Sequence, residues 1–199
     1  MHTYEARKFN IPSLDGISDE SVKQHIGLYE GYVKNFNAIK ENMKALMADS
    51  EKNMHAISEM ARRLSFEFGG MRLHEHYFPQ LEGGPQAIDP SSAFAKEIAK
   101  EFDDGPAQPI QVMKNVASMR GPGWAILYWD PVGKCFQTGF TGEQHQGHFV
   151  TLPILLALDV WEHAYILDHG AAGKGNYVDA FFKNLNWDVV EKRFKEVAA

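Results

Sequence analysis

Nine histidines in a chain of 199 residues are several more than such a length usually carries, so the first question is which of them could meet around one ion. Asp159 and His163 stand as Asp-x-x-x-His in the segment Ala157-Leu158-Asp159-Val160-Trp161-Glu162-His163-Ala164-Tyr165. A carboxylate at a strand end, followed by an imidazole about one helical turn later, lets both reach one ion. His25 shares a helix face with Tyr29 and Tyr32, and His74 follows the pair Gly69-Gly70. Three imidazoles and one carboxylate suit a borderline first-row metal and leave room for a solvent ligand, as a redox site requires. Spacing alone leaves open whether these four are ligands or hydrogen-bonded structural residues. The lone Cys135 excludes a disulfide framework and a thiolate cluster, so any metal sits on nitrogen and oxygen.

The elements that must position these residues follow from the apolar pattern. Val22, Ile26, Tyr29, Val33, Phe36 and Ile39 step by three or four and predict a helix from Ser18 to about Met47. A second helix is expected from Ser50, as N-cap, into Leu64. Gly69-Gly70 either interrupts it or allows close packing, and Met71 to Phe78, carrying His74, is read as a separate helix. Gly83, Gly84, Pro85 and Pro90 mark a connection. Beyond it, Ala93 to Phe102 and Ile110 to Met119 read as helices. Trp124 to Trp129 and Lys134 to Phe140, about the turn Asp130-Pro131-Val132-Gly133, form a β-hairpin, with a third strand over Phe149 to Leu158. Trp161 to Asp168, Tyr177 to Leu185 and Trp187 to Val197 are expected helices. The fold class is therefore α+β: a helical hairpin domain over 1–88, then a domain over 89–199 with a three-stranded antiparallel sheet packed by helices.

A hydrophobic content of 44% is enough for a real core. The net charge of -6, without a long basic run, argues against nucleic acid or an anionic membrane as partner. No stretch of apolar residues is long enough to span a bilayer, and the start MHTYEARKFNIPSLDG lacks the n- and h-regions of a secretory signal. Together with the single cysteine, this predicts a cytoplasmic protein.

The wording of the segments carries further. Asp159-Val160-Trp161-Glu162-His163-Ala164-Tyr165 closely resembles the DxWEHAY signature of iron/manganese superoxide dismutases, and Gly121-Pro122-Gly123-Trp124 is similar to that family's G-x-G-W. His25 ahead of Tyr32-Val33-Lys34-Asn35-Phe36-Asn37, Gly69-Gly70 ahead of His74, and Asn186-Trp187 resemble its remaining signatures, in order along nearly the whole chain. The resemblance implies disproportionation of superoxide by one manganese or iron ion per subunit. His25 would be its axial ligand, His74, Asp159 and His163 equatorial, with solvent opposite His25. Tyr32 would stand over the substrate approach, with Trp124 and Trp161 walling the site. Glu162 would reach His163 of a second copy, in a homodimer or a homotetramer. A donor to the solvent is also implied. Gly70, four residues before His74, has no side chain to supply it, so it comes from 142–148, where Gln144 and His148 both remain candidates. A glycine early and the donor late lean toward manganese, or use of either metal. Lys34, Arg72 and Lys174 are candidates for steering an anion.

The chain departs from the family pattern in places. His25 and Tyr32 are seven apart, one fewer than is common; Leu28 and Tyr29 stand where a histidine is usual, and Ile166 where a tyrosine is frequent. Leu73 and Phe78 replace a frequent asparagine and tryptophan. Three other readings compete: a non-haem iron oxygenase, a metal-binding relative without turnover, and a helical interaction protein whose histidines lie apart.

Overall fold

Ser18 opens the first helix: its hydroxyl accepts from the Ser21 N–H at 3.1 Å, while Asp19 and Glu20 face the positive end of the helix. The structure is a computed structural model and describes residues 2–198. Helix α1, Asp19–Leu46, buries Ser21, His25, Tyr29, Val33 and Phe36, so its inner face carries the first histidine into the core. Helix α2 spans Met54–Tyr77, and here two expectations are corrected. Ser50 lies in the turn between the helices, and Asn53 directly precedes the first helical residue. The helix also runs unbroken through Gly69-Gly70, so His74 shares it with Met54. An interior glycine costs a helix about 1 kcal/mol, and here the missing side chains are used for close approach. A Cβ on Gly70 would lie 2.5 Å from the Tyr32 ring, and one on Gly69 would lie 2.0 Å from the carbonyl oxygen of Gln144.

Two shorter helices follow, α3 over Ala93–Glu101, capped by Ser92, and α4 over Ala107–Ala117. Pro109 falls in the first turn of α4, where its missing N–H goes unneeded. Strands β1 (Trp124–Asp130), β2 (Cys135–Thr141) and β3 (Ile154–Asp159) form an antiparallel sheet in the order β2-β1-β3. The hairpin turn is held by Asp130, whose Oδ1 accepts from the N–H groups of Val132 and Gly133 at 2.9 and 3.0 Å. β1 is buried almost throughout, with α4 packed on β1 and β2, and α2 on β3, so its run of apolar residues need not alternate. β3 starts later than expected because 149–153 is irregular, with Thr151 at a φ of 67°. The register sets Trp124 opposite both Thr141 and Asp159. The start of β1 and the ends of β2 and β3 therefore meet at one end of the sheet.

After β3 the expected helix from Trp161 is replaced by a 3-10 turn over Glu162–Ala164 and the short α5, Ile166–His169. Helices α6 (Lys174–Asn184) and α7 (Trp187–Val197) complete the chain, and the Asn186 side chain caps α7. A buried core joins the two halves: Gln80, just beyond α2, donates to Ala157 O at 2.8 Å and accepts from Ala157 N at 3.0 Å, as a strand neighbour would. No helix among the described residues is long and apolar enough to cross a membrane.

Candidate metal centre

Four elements deliver one side chain each to the same point. Seven residues turn an α-helix through about 700°, some 20° short of two turns, so His25 and Tyr32 lie on one side of α1. The seven-residue interval thus keeps both toward the centre in an uninterrupted helix. The same phase turns Tyr29 fully into the core and leaves Leu28 43% exposed, which separates the two residues considered for that position. His74 comes from α2, Asp159 from the last position of β3, and His163 from the turn after it. One potential ligand atom from each of these four residues lies within 4.8 Å of all the others.

The hydrogen bonds show which atoms face inward. Asp159 Oδ1 accepts from the Trp161 N–H at 2.8 Å, leaving Oδ2 toward the cluster, where it is 3.1 Å from His25 Nε2 and 3.2 Å from His163 Nε2. His74 Nδ1 donates to the Gly70 carbonyl at 2.6 Å, so its Nε2 carries the free lone pair. That nitrogen is buried without a hydrogen-bond partner, 3.6 Å from Asp159 Oδ2. A buried, partnerless lone pair aimed at a buried carboxylate is what a cation would satisfy. The donor set, three imidazole nitrogens and one carboxylate oxygen, fits iron or manganese.

Electrostatics keep these groups ready for a cation. Burial pushes His74 down to about 3, with the charge of His25 adding to the effect, so its imidazole is neutral at neutral pH. Burial also lowers His25, partly offset by Asp159. Burial works to raise the Asp159 carboxyl, but His163 and His25 outweigh it and hold the group below the usual carboxylate range. His163 ends above its ordinary 6.5, because Asp159 more than offsets its burial.

A short chain of hydrogen bonds covers the cluster. Trp124 Nε1, which can only donate, gives its proton to Gln144 Oε1 at 2.8 Å. The Gln144 amide is thereby oriented, and its Nε2 donates to the Tyr32 hydroxyl at 3.0 Å. His148 is placed elsewhere: its Nε2 donates to the Gln144 carbonyl at 3.3 Å and its Nδ1 bonds Tyr128 at 3.0 Å. Both its nitrogens are engaged there, so of the two candidates Gln144 is the one bonded to Trp124 and Tyr32, whose ring centroids stand 5.1 and 5.2 Å from that of His74. Trp124 stands edge-on to His74 with ring centroids 5.1 Å apart, and Trp161 stacks on His163 at 6.1 Å. Burial raises the Tyr32 hydroxyl to about 12, with Asp159 and Glu67 adding to it, so it is protonated at neutral pH.

Comparison with known proteins decides what this arrangement belongs to. The family model described as iron/manganese superoxide dismutases, C-terminal domain, matches residues 90–193, more than half of the chain. The superoxide dismutase [Fe] of Aquifex pyrophilus is 35% identical, over 98% of this chain and 93% of that protein. The chain belongs to the iron/manganese superoxide dismutase family. A superoxide dismutase [Fe] of Saccharolobus solfataricus is 32% identical over 90% of this chain and 86% of its own. The superoxide dismutase [Mn] 2 of Halobacterium salinarum is 29% identical over 92% and 89%. Family members similar to this chain are thus named for either metal.

Within this family frame, the cations considered for steering scatter. Lys34 is exposed on α1, Lys174 donates to the carbonyls of Met119 and Gly121, and Arg72 pairs with Glu75. Glu162 is exposed. Glu75 escaped the sequence reading: it is buried and accepts from the hydroxyl of Tyr29 at 3.1 Å, whose ring stacks on His74 with centroids 6.3 Å apart. Its signal was a carboxylate between two histidines, flanked by Leu73 and Tyr77 and three residues after Arg72.

Proposed function

We propose that this protein disproportionates superoxide, two superoxide ions and two protons giving one dioxygen and one hydrogen peroxide, at the centre formed by His25, His74, Asp159 and His163. The observation that carries this is the convergence of those four side chains beneath the hydrogen-bonded series Trp124, Gln144 and Tyr32. Bound iron or manganese supplies the one-electron oxidation and reduction. The chain's own residues do the rest. Asp159 contributes the one negative charge of the ligand set, and Gly70 O fixes the His74 ring so that Nε2 points inward. Gln144 keeps one N–H free after serving Tyr32, and in this reading that N–H is the donor toward the centre. Tyr32 accepts that bond, so its own O–H is free to donate a proton to the incoming anion. Trp124 and Trp161 exclude bulk water and keep the ligands rigid.

The active form in this reading is a homodimer, able to pair into a tetramer, with Glu162 of one copy meeting His163 of the other. The exposure of Glu162 and of the apolar Leu28, Ile166 and Leu167 supports it. Residues 1–88 and 89–199 act as two domains, each contributing two of the four ligands. Gly70 with Gln144 favours manganese, or either metal, over iron alone. Superoxide consumption by protein loaded separately with manganese and with iron, metal being counted per subunit, tests the proposal. Rapid turnover with at least one metal is expected, and stoichiometric metal without turnover overturns it.

A further inference from the structure

Glu75 and His76 follow His74 on α2 and turn to another side of the helix, where the N-terminal segment and α7 close around an open cavity of about 370 Å³. Four cations line it, Arg7, Arg72, Lys192 and Arg193, against two carboxylates, Glu75 and Glu196. Four less two leaves two positive charges in excess, on a chain whose overall charge is -6. Glu75 is shared: Arg72 pairs with it closely, Arg7 lies 3.7 Å away, and the Tyr29 hydroxyl donates to it as well.

Arg193 is the innermost of the four. Its guanidinium donates to Gln80 Oε1, Leu155 O and His76 O at 2.8 to 2.9 Å, all neutral oxygens. Neither Arg193 nor Lys192 takes part in an ion pair among the described residues, so a largely buried cation lacks a counter-ion. Burial accordingly lowers Arg193 to about 10, with Glu196 pulling weakly the other way. Beside it, the Nδ1 of His76 is buried without a hydrogen-bond partner.

We propose that this cavity binds a small phosphate-bearing anion, with Arg7, Arg72 and Lys192 on its oxygens and Arg193 as the buried counter-charge. Guanidinium forks match phosphate oxygens in bidentate fashion. Two excess charges balance the roughly -1.5 to -2 that a phosphomonoester carries at neutral pH. The cavity falls in the size range of small-molecule sites, roughly 300–1,000 Å³, and exceeds what one phosphate group fills. Pro79 and Val189 in its wall offer an apolar surface to a carbon skeleton.

The test is calorimetric titration of the metal-loaded protein at low salt, with inorganic phosphate in one arm and glycerol 3-phosphate in the other. Saturable binding is expected, weakened about tenfold by Lys192→Gln or Arg7→Gln, both exposed side chains whose loss leaves the core intact. Glu196→Gln, which removes a carboxylate from the cavity, should tighten it severalfold. Tighter binding of the ester identifies a phosphomonoester as the ligand, and equal affinity identifies free phosphate; either supports the site. Absence of saturable binding in both arms overturns the proposal. So does binding that all three variants leave unchanged, which would place the anion elsewhere, the metal included.

Discussion

His74 and His76 stand two residues apart on α2, about 200° around the helix, and the groups that surround them are of opposite sign. Burial brings both imidazoles down to about 3. Around His74 the neighbours are the imidazoles of His25 and His163 and the Asp159 carboxylate, ring nitrogens with one negative charge. Around His76 they are Arg193, Arg7 and Arg72, donors with positive charge. The same residue type on the same helix therefore faces a cation site on one side and an anion-seeking cavity on the other. What each side takes is decided by the excess charge that neighbouring elements bring, not by the histidine. Glu75 sits between them, bonded to Tyr29 toward the metal side and to Arg72 toward the other.

Removing the negative member of the first cluster should break the contrast most sharply. In Asp159→Asn we expect metal affinity and superoxide consumption to fall by on the order of a hundredfold or more, measured by metal content per subunit and by turnover. Phosphate binding on the far side of α2 should persist. A variant that kept stoichiometric metal would show that the four residues do not form one site.

Gln144→Ala separates holding the ion from using it. It removes the amide that Trp124 orients and Tyr32 accepts, and turnover should fall about 10- to 100-fold with metal content unchanged. His148→Ala, which changes a residue directed at Tyr128, should have a much smaller effect on turnover. Equal losses in the two variants would overturn the assignment of Gln144.

Acid probes the same cluster through its protons. Imidazoles bind metal only when neutral, and His163 is raised above 6.5, so it is protonated first as the pH falls. Metal affinity should be flat above that pKa and drop by about tenfold per pH unit for each proton that competes below it. His25 and His74, both lowered, should join only at more acidic pH. Metal release followed against pH checks the order, and release that starts on the alkaline side would reverse the sign.

Gly70→Ala gives the smallest effect. Its Cβ would lie 2.5 Å from the Tyr32 ring, so α1 or Tyr32 must shift, at about 1–3 kcal/mol of stability by urea unfolding. Metal content should hold while the Gln144–Tyr32 bond loosens and turnover drops. Unchanged stability would mean that the double glycine is not needed for close packing.

Much of this was legible in the residue order. The face of α1 follows from a period that needs nothing beyond the chain itself, and the hairpin about Asp130 rests on local turn chemistry. The order of signature segments pointed to the family before any contact was visible. Other features were misread for a common reason. Gly69-Gly70 left a break or a close approach open, and Met71 to Phe78 was read as a separate helix because local propensity disfavours glycine; α2 continues, since Tyr32 and Gln144 approach where side chains are missing. The helix expected from Trp161 gives way to a tight turn that brings His163 back to Asp159.

By itself, then, the sequence determined the ligand types, the helical faces and the α+β order, because these depend on residue identity and on periods a few residues long. Tertiary structure alone decided that Gln144 and not His148 meets Tyr32, that Tyr29 turns inward while Leu28 faces out, and that Arg7, Arg72 and Arg193 share one cavity. Those outcomes depend on segments tens to more than a hundred residues apart meeting at angstrom precision. Only the packing of one helix against another and against the sheet end sets such distances.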